Sequence, residues 1–401
     1  MESAIKKKSN LNIVLLFLMI FVVNSLVGWG LLTIYILNNI NKNKEVLIWS
    51  GVTITFISLY NATKIPENDL SWYVDFYLAA NKTSFKNYLG MLTGGKEQLY
   101  QILVYVIHLF GGKNYHIYIF IMSMISYSCL LRVLIIMKNQ LGLTNMAFVG
   151  AVSFLCFFPY TYAISVHIVR QVLASSIILW LLFEYYCGIK QKWIPIFAVA
   201  TIFIHTSAIF ILPFFYLKQI AKPISRQSVP LYLLIVGVIF SISFIGGKLL
   251  SVASSDSAAG YIADKMSNGT SFETTLPLSQ LLLSVAFVIV GYVAIYVHKK
   301  NLKNNVACSL FLHMSTILLL FILGNSANPE LQLRCNFFFW TYASLFIAIY
   351  LASYKLYPFS ILLVSVFLFV FWNIYNSSLS QWTYTCSNDY LGYSIFNYFE
   401  Y

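Results

Sequence analysis

Residues 165–186, SVHIVRQVLASSIILWLLFEYY, place His167, Arg170 and Gln171 directly ahead of a largely apolar run. A helix of about 20 apolar residues is long enough to cross the hydrocarbon core of a bilayer, which is roughly 30 Å thick. An arginine is costly at bilayer depth and is retained there mainly where it has a function. The stretch therefore predicts a membrane helix that carries a functional cation at one end.

The composition of the whole chain extends this prediction. Of its 401 residues, 59% are hydrophobic and only 9% are charged, too few charges for the surface of a soluble domain of this size. The net charge of +12 lies in short clusters between apolar segments, as in cytoplasmic loops, so we expect no nucleic acid partner. We expect an all-α polytopic membrane protein, a single integral domain over 1–401, with about 10–12 membrane helices at 11–37, 46–60, 98–110, 115–137, 146–163, 166–187, 193–217, 229–250, 277–297, 305–324, 335–353 and 356–375.

Charge placement orients these apolar segments. If the basic clusters lie in the cytoplasm, two segments cannot be simple spans. Residues 98–110 are too short to cross and are expected to be a half-inserted helix on the outer face. Residues 193–217 have lysines near both ends and are expected to be a re-entrant hairpin that turns near FIHTSAIF. Residues 61–97 and 251–276 then become extracytoplasmic loops, and 376–401 becomes an extracytoplasmic tail.

The motif VHIVRQVLA gives one helix face a cation and hydrogen-bonding groups. His167, Arg170 or Gln171, and Ala174 follow the helical spacing i, i+3 or i+4, and i+7, so we expect them to share that face. The small Ala174 would leave room for a ligand beside them. The alternative is an interfacial arginine whose head contacts lipid headgroups.

A second arginine, Arg334 in NPELQLRCN, begins a later apolar segment. Arg170 and Arg334 are the two arginines on the predicted outer side. The planar guanidinium binds phosphate oxygens bidentately and stays charged, so an outward-facing pair suits a diphosphate. Interfacial anchoring is the alternative for Arg334 as well.

Polar and aromatic residues of the outer loop add further candidates. ENDLSWYVDFY and GGKEQLYQIL supply the carboxylates Asp69 and Glu97 and the rings of Tyr73 and Tyr100. A carboxylate near a sugar can act as a general base, and a flat aromatic ring suits a pyranose, although the same rings also occur in interfacial belts. His205, in the middle of FIHTSAIF, is a candidate for binding because an intramembrane histidine is a functional candidate by default. The six cysteines stand singly, and the chain has no metal-binding or nucleotide-binding signature, so we expect neither a metal nor another cofactor.

The order of five short motifs resembles the EpsG-like and Wzy-type polysaccharide polymerases, a resemblance that spans roughly residues 60–350. The motifs are DLSWY at 69–73, KEQLY at 96–100, IVRQVLA at 168–174, HTSA at 205–208 and LRCNFFF from Leu333. Members of this family often have proline after the glutamate, where this chain has Gln98. That departure leaves the Glu97 carboxylate in place.

The resemblance implies a metal-independent membrane glycosyltransferase of the bacterial inner membrane, similar to GT-C-type enzymes, with its active site facing the periplasm. It would polymerise undecaprenyl-diphosphate-linked oligosaccharide repeats of O-antigen or a related surface polysaccharide, joining the growing chain to the non-reducing end of a new repeat. Arg170, Gln171, Arg334, His205, Tyr73 and Tyr100 would bind the substrate, with Arg170 acting in catalysis too. The base would be Asp69 or Glu97, with His167 as competitor. Membrane lipid, a chain-length regulator and a flippase are the implied partners.

Three other functions remain open at this point. An O-antigen ligase uses the same donor but usually has a large late loop, whereas 251–276 is modest. A lipid-linked oligosaccharide flippase or other transporter would have polar groups along a path through the bundle, often with an internal repeat, and no repeat is visible. A membrane acyltransferase would pair a deep histidine with a carboxylate, and HTSA alone supports this poorly.

Overall fold

The fold is built from helices wherever the computed structural model describes the chain. The described residues are 2–67, 69–89, 91, 97–188, 192–223, 232, 276–298, 302, 304–325, 329–353, 357–376 and 394–399. Within these ranges there is no strand, which confirms the all-α prediction. The sixteen α-helices of the described part are α1 Glu2–Val23, α2 Ser25–Asn38, α3 Asn43–Ala62, α4 Asp69–Ala79, α5 Phe85–Tyr88, α6 Gln98–Gly111, α7 Tyr115–Leu141, α8 Asn145–Phe157, α9 Pro159–His167, α10 Val169–Cys187, α11 Ile194–Ala200, α12 Leu278–Val293, α13 Val306–Gly324, α14 Pro329–Thr341, α15 Ala343–Ser353 and α16 Pro358–Asn376.

Several helices have the length and apolar character of membrane spans. In the described part these are α7, the helical stretch Leu278–Tyr296, and α13. The bent pairs α8–α9 and α14–α15 raise the number to five if each pair is one span. At 1.5 Å per residue, the 14 residues of α6 extend about 21 Å, too short for a crossing and as expected of a half-inserted helix. The chain is a multi-pass membrane protein by these criteria.

Three of the helical segments that the sequence predicts are interrupted in the structure. Segment 146–163 divides at Phe158, where α8 and α9 meet at 52°. Pro159 explains this break, because the residue before a proline is disfavoured in the helical conformation, and Phe158 has φ −71° and ψ 119°. Segment 335–353 bends by 45° at Tyr342, between α14 and α15, and segment 11–37 divides at Asn24.

The predicted hairpin 193–217 is an irregular segment that folds back on itself. After α11 it continues in 3₁₀ turns, Thr201–Phe203, Thr206–Phe210, Leu212–Phe215 and Lys218–Ala221. His205 lies between two of these turns in extended conformation, with φ −154° and ψ 127°. Because α11 contacts Leu212–Phe215, the two halves run back along each other. Loop 61–97 contains α4 and α5, whereas 251–275 and most of the predicted tail lie outside the described residues.

A buried amide connects three helices near the centre of the bundle. Asn61, at the end of α3, is fully buried, and its Nδ2 donates to Ser123 Oγ of α7 at 2.7 Å and to Ser165 Oγ of α9 at 3.2 Å. The Tyr127 hydroxyl of α7 donates to the same Ser165 Oγ at 3.4 Å. Since α9 leads directly into α10, this network fixes the helix that precedes Arg170.

We expect Asn61→Leu to lower the unfolding free energy by about 1–3 kcal/mol, because it leaves buried hydroxyls without the amide that they bind. The thermal unfolding midpoint of the detergent-purified protein measures the effect. Thr55→Val is the matched control on the same helix, since the Thr55 hydroxyl donates only to Gly51 O within α3. Equal midpoints for the two variants would contradict a role for Asn61 in joining the helices.

Candidate functional site

A cavity of about 240 Å³ brings together residues from distant parts of the chain. One wall comes from α4, another from the start of α10, a third from the hairpin at His205, and the last from α14. The residues lining it are Asp69, Trp72, Tyr73, Ile168, Arg170, Gln171, His205, Leu333, Arg334 and Phe337. Charged and hydrogen-bonding groups therefore share one small space with aromatic and aliphatic side chains.

Helix beginnings and breaks position the polar groups of the cavity. Asp69 is the first residue of α4, and Trp72 and Tyr73 follow it at i+3 and i+4, on the same helix face. Arg170 is the second residue of α10, directly after the break at Ile168. Irregular backbone inside a membrane protein is tolerated where it lines a cavity, and the extended His205 is such a case.

An ion pair with Glu97 holds Arg170. Its Nη1 donates to Glu97 Oε2 in a short hydrogen bond, and its Nε donates to the Tyr73 hydroxyl at 3.4 Å. The other carboxylate oxygen of Glu97 accepts the backbone N–H of Thr206 at 3.3 Å. The side chains of Arg170 and Glu97 are only 16% and 4% exposed, so water screens the pair weakly. Glu97 thus connects the start of α10 with the hairpin.

Three aromatic rings surround the same guanidinium. The Arg170 Cζ atom lies 4.9 Å from the ring centre of Trp72, 5.3 Å from that of Tyr73 and 5.9 Å from that of Tyr100. A cation over an aromatic face gains about 0.5–2 kcal/mol, with the larger values for desolvated pairs. The rings and Glu97 together fix the position and direction of the Arg170 head.

The second cation of the cavity contacts a buried histidine. Arg334 Nη1 lies 3.3 Å from His205 Nε2. Arginine has only donors, so this contact is a hydrogen bond where Nε2 carries no proton. On the other side of the ring, Nδ1 lies 2.6 Å from Ser207 Oγ and 3.2 Å from the Ser207 backbone N, so His205 caps the 3₁₀ turn Thr206–Phe210. Gln171 Nε2 donates to the backbone oxygen of Arg334 at 2.7 Å and so joins α10 to α14.

Both carboxylates near the cavity titrate above their ordinary range. Burial raises the pKa of Asp69, with the charges of Arg170 and Arg334 opposing the rise. Burial also raises the pKa of Glu97 against the opposing effects of Arg170 and of the Thr206 N–H. Asp69 lines the cavity, whereas Glu97 lies behind Arg170. Of the two carboxylates, Asp69 is therefore the one that lines the space in which a ligand would lie.

Most of the residues predicted from the sequence meet around this cavity. Those that line it are Asp69, Tyr73, Arg170, Gln171, His205 and Arg334. Glu97 and Tyr100 do not line it but contact Arg170 from behind. Within the described ranges no group of three His, Cys, Asp or Glu side chains could hold a metal ion. A metal-independent site stays a prediction.

The predicted helix face that joined His167 to Arg170 and Ala174 is wrong. Ile168 has φ −122° and ψ 53°, outside the helical range, so His167 ends α9 and Arg170 belongs to α10. His167 is buried within electrostatic range of Lys64 and is not among the cavity residues. Ala174 is also fully buried. A strictly helical spacing could not reveal a one-residue break.

Four lining residues were not among the predicted ones, namely Trp72, Ile168, Leu333 and Phe337. Trp72 follows Asp69 by three residues and could have been found from that helical spacing. Phe337 follows Arg334 by the same interval. Their apolar character concealed them in a chain in which apolar residues are the majority.

We expect Glu97→Ala to destabilise the protein by about 3–5 kcal/mol, because it leaves the Arg170 charge buried and unpaired. The thermal unfolding midpoint measures this, with Glu45→Ala as the control. Glu45 pairs with Lys42 three residues away at 3.4 Å. Their side chains are 16% and 35% exposed, against 4% and 16% for Glu97 and Arg170, so water screens this pair more and its loss costs about 0–1 kcal/mol. The double variant Glu97→Met/Arg170→Met should recover stability, since it removes both charges. Equal losses for the two single glutamate variants would argue against a buried pair.

Neither the curated proteins nor the solved structures contain a match to the chain. One family model, described as the EpsG family, matches residues 46–395. The matched range is most of the chain and includes every residue of the cavity. The chain therefore belongs to the EpsG family.

Proposed function

We propose that this protein is a membrane glycosyltransferase that polymerises lipid-diphosphate-linked oligosaccharide repeats, with undecaprenyl diphosphate as carrier, at the periplasmic face of the bacterial inner membrane. The observation that carries the proposal is the meeting of Arg170, Arg334 and Asp69 around one small cavity. Membership of the EpsG family supports a polysaccharide polymerase. The donor brings its own activation as a glycosyl diphosphate, so the reaction needs no nucleotide.

The two arginines suit a diphosphate leaving group. Guanidinium groups bind phosphate oxygens in pairs and remain charged at any physiological pH. Arg170 is already held by Glu97 and the aromatic rings, so little reorganisation is needed when negative charge develops beside it. Electrostatic stabilisation by such prearranged groups is worth several kcal/mol in a site that excludes water.

The transfer step is a displacement at the first sugar of the donor. The hydroxyl at the non-reducing end of the incoming repeat attacks the anomeric carbon that carries the diphosphate. A new carbon–oxygen bond forms while the bond from that carbon to the diphosphate oxygen breaks, and the lipid diphosphate leaves with the electron pair. The proton of the attacking hydroxyl passes to a general base.

Asp69 is the best of the three candidate bases. Its carboxylate lines the cavity, whereas both oxygens of Glu97 already accept hydrogen bonds, from Arg170 and Thr206. His167 is not among the residues that line the cavity. A base must reach its proton within hydrogen-bond distance or through one water molecule, and the position of Asp69 in the cavity lining supports this role.

We expect Asp69→Asn to lower kcat/KM by about 10²–10⁴-fold, the usual contribution of a general base. In the wild type, kcat/KM should fall as the pH drops through the pKa of Asp69, because the protonated carboxyl cannot accept a proton. Since burial raises that pKa, the acidic limb should lie above about 3.9, the value of an unperturbed aspartate. The control is Asp75→Asn, an exposed residue of the same helix that does not line the cavity. An unchanged acidic limb in Asp69→Asn would exclude Asp69 as the base.

Complementation in the host distinguishes polymerase from ligase and transporter. We expect a strain that lacks the gene to display single repeats on its surface carrier, and wild type to restore a ladder of chain lengths on a gel. Arg334→Ala should give single repeats. Arg334→Lys should give a weakened ladder, because lysine keeps the positive charge but cannot bind phosphate oxygens bidentately as the guanidinium does.

Arg132→Ala is the matched control, since Arg132 pairs with Glu184 at 2.7 Å away from the cavity and should leave the ladder intact. Long lipid-linked polymer in the deletion strain would mean that the protein is a ligase. Lipid-linked repeats trapped on the cytoplasmic face would mean that it is a transporter. Either result would overturn the proposal.

A further inference from the structure

The cavity is lined by two chemically different sets of side chains. Hydrogen-bonding groups come from Asp69, Arg170, Gln171, His205 and Arg334, and apolar surface comes from Trp72, Ile168, Leu333 and Phe337. A diphosphate uses only the hydrogen-bonding set. A ligand ring with apolar faces and hydroxyl groups at its edge would use both sets.

Trp72 is the most exposed of the aromatic groups that line the cavity. Its side chain is 45% exposed, whereas Tyr73 and Phe337 are buried. The indole is held in place by the parallel ring of Phe76, 6.0 Å away, and by the edge of Tyr73, 5.2 Å away. No hydrogen bond to its N–H occurs among the described residues. A fixed indole therefore offers both flat apolar surface and a donor to a ligand.

The position of Trp72 indicates which part of the substrate it meets. The Arg170 guanidinium carbon lies over the indole, 4.9 Å from its ring centre, so a group on the exposed remainder of the indole lies next to whatever Arg170 binds. The cavity of about 240 Å³ is smaller than the roughly 300–1,000 Å³ typical of drug-sized ligands. A cavity of this size suits the part of the donor around the diphosphate and its first sugar ring better than a whole repeat unit.

We propose that Trp72 forms a stacking subsite for a single sugar ring, the ring of the donor that is attached to the diphosphate. This inference rests on the proposed function, because it takes Arg170 as a ligand of the diphosphate. The C–H face of the ring packs on the indole, and its hydroxyls face Asp69 and Gln171. The subsite therefore presents the anomeric carbon between the arginines and the base.

Two natural probes test the subsite with purified protein in lipid nanodiscs. One is undecaprenyl diphosphate without sugar, and the other is the lipid-linked repeat unit extracted from the deletion strain. Trp72→Ala should weaken binding of the lipid-linked repeat about tenfold, equivalent to about 1.4 kcal/mol, and change binding of the sugar-free lipid by less than about twofold. Trp72→Phe should retain most of the affinity because a flat ring remains.

Trp193→Ala is the matched control. Trp193 is 67% exposed and does not line the cavity, so a general effect of losing an interfacial tryptophan would appear in both variants. Equal binding by wild type and Trp72→Ala, or equal loss for both probes, would overturn the subsite while leaving the proposed function intact. Failure of the wild type to bind either probe would overturn the function and the subsite together. Thermal unfolding midpoints of Trp72→Ala and Trp72→Phe that match the midpoint of Trp193→Ala would show that both variants are folded.

Discussion

The buried ion pair between Arg170 and Glu97 is the interaction on which the candidate site depends. It joins the first turn of α10 to Glu97 at the start of α6, and through the Thr206 N–H it reaches the hairpin that carries His205. A buried charge without a partner strongly destabilises a protein. The attraction between Arg170 and Glu97 therefore holds these three segments together. The aromatic rings around Arg170 add surface that excludes water from the pair.

The breaks in the helices give this arrangement its shape. A chain of long, straight spans would direct its polar side chains along the bundle, whereas the breaks at Ile168 and His205 turn backbone and side chains toward one cavity. The bends in α8–α9 and α14–α15 belong to the same region, since α9 ends beside the cavity and α14 contributes Arg334. Helical continuity is thus lost in the segments that bring the polar groups together.

The class of protein, the short apolar helix α6 and most of the candidate residues of the cavity followed from hydropathy, charge and short motifs. Arginines, carboxylates and histidines are rare in this chain, so each one is conspicuous among apolar neighbours. The ion pair between Arg170 and Glu97 was not predictable, because the two residues are 73 positions apart and the sequence does not show which distant residues are in contact. A similar limit applied to His167. It stands three residues before Arg170, as on one helix face, but the single non-helical residue Ile168 between them ends that helix. Trp72 escaped notice for the opposite reason, since aromatic residues make up 17% of the chain and one more carries little information.

The cavity takes residues from position 69 to position 337 of a chain of 401. No shorter stretch of the polypeptide contains its full set of walls, and the last wall, α14, is also the last to leave the ribosome. A partly synthesised chain therefore has an incomplete pocket, with the buried charge of Arg170 in place but its opposite wall missing. The pocket therefore gains its two arginines in a fixed order, Arg170 with α10 and Arg334 only when α14 packs against α10.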